Sequence, residues 1–120
     1  MRIIKVGGTW LLQVLVGGLF ILIGVLKFRD PNWARMFARW GYPDGFYMVI
    51  GVLEALAGVA VLVPRTARYG AVLIMIIMAA AAITHATHNE MQRFMAPVMY
   101  LLLAGAVAWL RRRGDITVAA

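Results

Sequence analysis

The sequence predicts an all-α membrane protein, a four-transmembrane-helix bundle with a short amphipathic interfacial helix between helices 1 and 2. Three observations carry this reading. Hydrophobic residues make up 63% of the 120 and charged residues 14%, and the mean hydropathy is +0.84. A soluble domain of this length buries only about two-thirds of its surface, so lipid must solvate the remainder. The apolar residues fall into four runs of near-membrane length, and basic residues stand at the ends of those runs: Arg2 and Lys5, Arg65 and Arg68, and Arg111, Arg112 and Arg113. That is the flanking pattern of membrane helices. It also argues against nucleic acid as a partner despite the net charge of +7, because phosphate recognition needs a continuous basic face. The length suits a single domain, residues 1–120.

The first helix is expected at about 8–27, long enough for the roughly 20 residues that cross a hydrocarbon core. Arg2 and Lys5 precede it as they would in a signal peptide. No small-x-small cleavage site follows, and the first alanine is Ala34, so a retained span is expected. Asp30-Pro31 then supplies an N-cap and a first-turn proline. Between Pro31 and Gly41, Trp33, Met36, Phe37 and Trp40 recur at helical spacing, with Arg35 and Arg39 on the other side. That pattern makes a surface helix whose tryptophans sit at interfacial depth, either a lid that seals the bundle or a gate to it.

The second span is expected at 46–63, ended by Pro64, which disfavours a helical residue before it. The third, at 69–86, contains Ala79 to Ala82, small enough for close helix approach. The fourth, at 95–110, carries Pro97 in its first turn and stops at the arginine triplet. Two of the spans are short, implying thin membrane or tilt. Seven basic residues fall on the side of the termini and five on the other, which favours both termini in the cytoplasm.

An ionisable residue deep in a span usually faces the bundle or a cavity. Glu54 lies eight residues into its helix, about 12 Å along it. Tyr47, Gly51, Glu54 and Gly58 share one face, as do Gln13, Gly17, Phe20, Gly24 and Lys27 of the first helix. Ala71, Met75, Met78, Ala82 and His85 repeat the rhythm in the third, and Arg93, Pro97, Tyr100 and Ala104 in the fourth. With helices alternating in direction, Lys27, Tyr47, Glu54, His85 and Tyr100 gather in the outer half. These five are the candidate ligand-binding residues, suited to the oxygens of a quinone or to proton transfer. The structural alternative is that Lys27 and Glu54 neutralise each other and fix helix register.

The chain has no cysteine, which excludes disulfides, iron–sulfur clusters and covalent c-type haem. His85 and His88, with Glu90 nearby, offer too few assured donors for a transition metal, so no metal site is expected. A quinone is the one cofactor the pattern suggests.

Gly-Val-Leu-Lys-Phe (Gly24 to Phe28), Gly-Val-Leu-Glu-Ala-Leu-Ala-Gly (Gly51 to Gly58), Arg65 to Gly70, and Ala-Ile-Thr-His (Ala82 to His85) resemble the DoxX-like family of small four-helix membrane proteins. The resemblance implies a bacterial inner-membrane protein with both termini cytoplasmic. It also implies a role beside quinone-linked sulfur oxidation, in thiol or oxidative-stress complexes, or in the maturation of other membrane proteins. Lys27, Glu54 and His85 occupy polar positions of the family pattern, without a catalytic assignment. Three functions follow as expectations: a membrane subunit of a redox-linked assembly that binds a quinone, a non-enzymatic assembly or structural subunit that docks on other membrane proteins or on itself, and a small-molecule transporter.

Overall fold

The computed structural model describes residues 2–111, and side chains from 7 to 111. Five α-helices follow in order: α1 (Arg2–Arg29), α2 (Pro31–Arg39), α3 (Phe46–Leu62), α4 (Ala67–Thr87) and α5 (Met95–Leu110), with a 3-10 turn at Met91–Arg93. Segments Gly7–Arg29, Ala67–Thr87 and Met91–Leu110 are long and apolar enough to cross a membrane, and Phe46–Leu62 is a shorter apolar helix. The chain is a multi-pass integral membrane protein, and the helices begin and end close to where the apolar runs place them. The largest departure is α1, which reaches beyond the expected 8–27 at both ends. The side chains of Arg2 and Lys5, and all of Arg112 and Arg113, lie outside the described residues.

Local chemistry sets each boundary. Asp30 Oδ1 accepts the Asn32 N–H at 3.0 Å and Pro31 opens α2, as the Asp-Pro pair predicts. α2 ends in a Schellman motif: the Gly41 N–H reaches the Ala38 carbonyl at 3.0 Å and the Tyr42 N–H reaches that of Phe37, also at 3.0 Å. Gly41 has φ +87°, and that conformation makes glycine the natural residue. The turn folds Tyr42 back onto Phe37, ring centroids 5.3 Å apart. α3 stops before Pro64, which has no N–H to give the Ala60 carbonyl; that oxygen accepts the Val63 N–H at 3.3 Å and the Thr66 hydroxyl at 2.7 Å instead. α4 closes with Asn89 at φ 58° and the Glu90 N–H on the His85 carbonyl at 2.8 Å. Asparagine tolerates this left-handed geometry better than most residues.

α1 packs on α3, α3 on α4 and α4 on α5, while α5 returns to touch α1. The apolar core holds Val16 and Phe20 of α1, Ala57 and Val61 of α3, Ala71, Ile74 and Met78 of α4, and Ala104 and Val107 of α5. The glycine faces explain how α1 and α3 meet. A Cβ on Gly17 would stand 2.8 Å from the Gly58 carbonyl oxygen, and one on Gly58 would stand 2.6 Å from that of Gly17. Gly24 and Gly51 oppose each other in the same way one heptad along. Backbone therefore lies on backbone at two levels, the contact geometry that small residues permit between membrane helices. Gly70 brings α4 equally close to Ala57 and Val61 of α3. α2 lies across the end of the bundle where α1 and α4 finish and α3 begins.

Candidate functional site

The stripe Gln13, Gly17, Phe20, Gly24 and Lys27 is buried throughout, and so are Gly51, Glu54 and Gly58 facing it. Close glycine packing sets the height at which the two charged members meet. Lys27 Nζ lies 2.6 Å from Glu54 Oε1, with both side chains almost wholly shielded. A lone charge at mid-helix costs about 2.5–3.5 kcal/mol by insertion. Pairing removes the net charge, and Lys27 gains further because it occupies the last turn of α1, where the helix dipole favours a cation.

Trp33 of α2 covers the pair, with Lys27 Nζ 3.9 Å from the centroid of its ring. The indole face attracts the ammonium while excluding water from it. Trp33 leans on Phe37 at 6.3 Å between centroids. Phe37 is the centre of the lid, touching Trp40, Tyr42, Phe46 and Tyr47. Tyr47 thus belongs to the aromatic cover above the ion pair. Tyr100 of α5 sits deeper, edge-on to Phe20 at 5.6 Å.

His85 lies at the same end of the bundle but engages other groups. Its Nδ1 is 2.9 Å from Glu90 Oε1, and its ring meets Trp40 at 5.3 Å. The Glu90 carboxylate also accepts from Arg39 Nη2 at 2.6 Å and from Trp40 Nε1 at 3.2 Å. Nearby, Tyr42 and Thr84 hydroxyls lie 2.6 Å apart, and Thr84 donates to the Ala80 carbonyl at 2.9 Å, so Tyr42 supplies the hydrogen between them. His88 is exposed, with Nδ1 2.8 Å from the Thr84 carbonyl oxygen. No group of three His, Asp or Glu side chains is gathered for a metal among the described residues.

Of the five candidates, Lys27 and Glu54 are therefore in contact, and Tyr47 joins them through the lid. His85 forms a second polar centre with Glu90, linked to the first by Trp33, Phe37 and Trp40. Tyr100 borders the apolar core. The sequence gives no sign that Arg39 and Trp40 share a carboxylate 51 and 50 residues away. The one local hint is Asn89, whose left-handed turn returns Glu90 over the end of α4.

The His85 hydrogen bond, followed by those of Trp40 and Arg39, holds the Glu90 carboxyl below the usual carboxylate range. A carboxylate whose folded-state pKa is depressed contributes stability above its unfolded value and loses it as pH falls through the folded one. This contact should therefore be intact at neutral pH and weaken only in acid. Titrating the Glu90 carboxyl by NMR in micelles should give an inflection below that of a free glutamate; one at or above it would contradict the arrangement.

A third polar contact marks the opposite end. Arg111 extends as a surface anchor in the sequence pattern, yet the structure buries it to 2% exposure. Its Nε donates to Gln13 Oε1 at 2.9 Å, and its guanidinium stands 5.0 Å from the Trp10 ring centroid. The Gln13 carbonyl explains the inward turn, since it offers the arginine a buried acceptor.

The family model described as the DoxX-like family matches residues 11–107. Neither the curated proteins nor the solved structures include a match.

Proposed function

The chain belongs to the DoxX-like family, and on that premise we propose that it is a membrane subunit of a redox-linked assembly that receives a quinone headgroup at the Lys27–Glu54 pair. The observation that carries this reading is the pair itself: a buried ammonium held by one carboxylate under the ring of Trp33. An ammonium has three donors. One faces Glu54, leaving donor capacity for a carbonyl oxygen that enters between Trp33 and α3. Trp33, Phe37 and Tyr47 would stack on or flank a flat ring, and the lipid-facing helix surfaces would accept its tail. On this reading the chain supplies binding and a local proton reservoir in Glu54, while electrons pass between the quinone and partner subunits. Both termini would be cytoplasmic in a bacterial inner membrane.

The test is saturable quenching of tryptophan fluorescence by a short-tailed quinone, with the protein in nanodiscs. A doubly neutral variant, Lys27→Gln with Glu54→Gln, removes the charge and keeps the volume. It should weaken binding roughly ten-fold or more, the worth of one charged hydrogen bond. Non-saturable quenching, equal in both proteins, would sink the proposal.

The completeness of the charge pairing favours a second reading, in which the pair fixes helix register in a structural or assembly subunit. The doubly neutral variant should then co-purify with the same membrane partners as the parent, and neither protein should show saturable quinone binding.

A further inference from the structure

The lid over Lys27 is short and its attachment is unusually concentrated. α2 has nine residues, of which Phe37 alone is buried. Its polar ties to the bundle run to one place. Arg39 and Trp40 both donate to Glu90, and beside them Tyr42 bonds Thr84. The Arg93 guanidinium adds a weak contact to the Met36 sulfur at 3.8 Å. Glu90 is itself held by its backbone N–H on the His85 carbonyl, so it is a fixed post rather than a floating acid. Trp33 and Trp40 are seven residues apart, two turns along one helix face. The fastening at Trp40 therefore sets how Trp33 lies on Lys27 at the other end of the same short rod.

We propose that Glu90 is a latch: by holding Arg39 and Trp40 it keeps α2 closed over the Lys27–Glu54 pair, and its release opens that pair to a ligand headgroup from the membrane surface. The proposal rests on reading the pair as a ligand site, but the latch is a property of the lid and is measurable without any ligand. Its opening is a local transition. Five of its nine residues are exposed and one is buried, so beyond the ring cluster at Phe37 its closed state depends on the polar ties at its C-terminal end, as low-stability segments depend on few contacts. Removing Glu90 eliminates two ties from α2 and leaves the glycine-packed bundle intact. Glu90 is a positioning residue here, acting on Lys27 through Trp40, Phe37 and Trp33.

The sequence contains two lysines, Lys5 and Lys27, so acetylation by a small succinimidyl ester, read by mass spectrometry in nanodiscs, reports Lys27 directly with Lys5 as an internal reference. Lys27 should react slowly in the parent protein. Glu90→Gln should raise its rate relative to Lys5 by roughly ten-fold, the consequence of losing charge-assisted hydrogen bonds that hold the lid. Arg39→Gln changes an exposed side chain and should move the rate in the same direction by a smaller factor. Gln92→Ala, exposed in the adjoining turn, should leave it unchanged. Helical circular dichroism equal to the parent's confirms that the variants are folded. Parental Lys27 rates in both Glu90→Gln and Arg39→Gln would overturn the latch, even in a protein that binds quinone. Accelerated labelling in a protein that binds none would support the latch and refute the quinone reading alone.

Discussion

Lys27→Met is expected to destabilise the bundle by about 3–5 kcal/mol, the usual consequence of leaving one partner of a buried ion pair uncompensated. Glu54 is 1% exposed, so water does not reach the orphaned carboxylate, and the close backbone contact of Gly51 with Gly24 leaves no room to admit it. The carboxyl must then take up a proton or the helices must part. Replacing both charges together, Lys27→Gln with Glu54→Gln, should recover most of the loss, because two neutral amides can bond to each other across the same gap. Unfolding in a denaturing detergent, followed by helical circular dichroism, gives both quantities, and the single variants Lys27→Gln and Glu54→Gln close the cycle that isolates the coupling. A Lys27→Met protein as stable as the parent would mean that the pair carries no structural weight, and the case for a purely structural subunit would fall with it.

The pattern of what the sequence discloses follows from how local each interaction is. The four apolar runs, the Asp30-Pro31 start of α2 and the Pro64 stop of α3 are all written within a few residues, and the structure keeps each of them. The Lys27–Glu54 contact was legible because both lie on stripes of period 3.6, and the glycines on those stripes bring the two helices together. Helix phase and alternating direction suffice for that inference. They do not suffice for His85. Phase places it on the inner face of α4 at the correct end, but its partner is chosen by the left-handed residue Asn89, which returns Glu90 over the helix terminus. Arg111 is a similar case. Composition reads it with Arg112 and Arg113 as a flanking charge, and only the three-dimensional position of Gln13 turns it inward. Interactions between residues far apart in sequence, made by side chains at helix ends, leave no periodic trace.

Gly58→Val is expected to damage the bundle strongly although it alters neither member of the charged pair, and the reason is geometric. The first atom of any side chain at this position would lie 2.6 Å from the Gly17 carbonyl oxygen and 2.8 Å from the Ile21 amide nitrogen. Both are backbone atoms of α1, so no rotamer change relieves the clash, and the helices must separate. Overpacking in a tight core costs about 1–3 kcal/mol, and valine at a backbone contact belongs at the upper end or beyond it. Separation here also propagates. Gly51 stands one turn before Glu54, with Lys27 Cβ 3.1 Å from where its own Cβ would be, so the distance between α1 and α3 directly sets the distance between the ammonium and its carboxylate. Gly58→Val should therefore both lower the unfolding midpoint and raise Lys27 acetylation. Gly18→Ala supplies the contrast, since nothing lies within 4 Å of a Cβ there; it should be neutral or stabilising by up to about 1 kcal/mol, through helix propensity. Equal losses in the two variants would show that glycine is disfavoured or favoured along α1 and α3 for its backbone alone, and that the interlocked faces do not hold the pair in place.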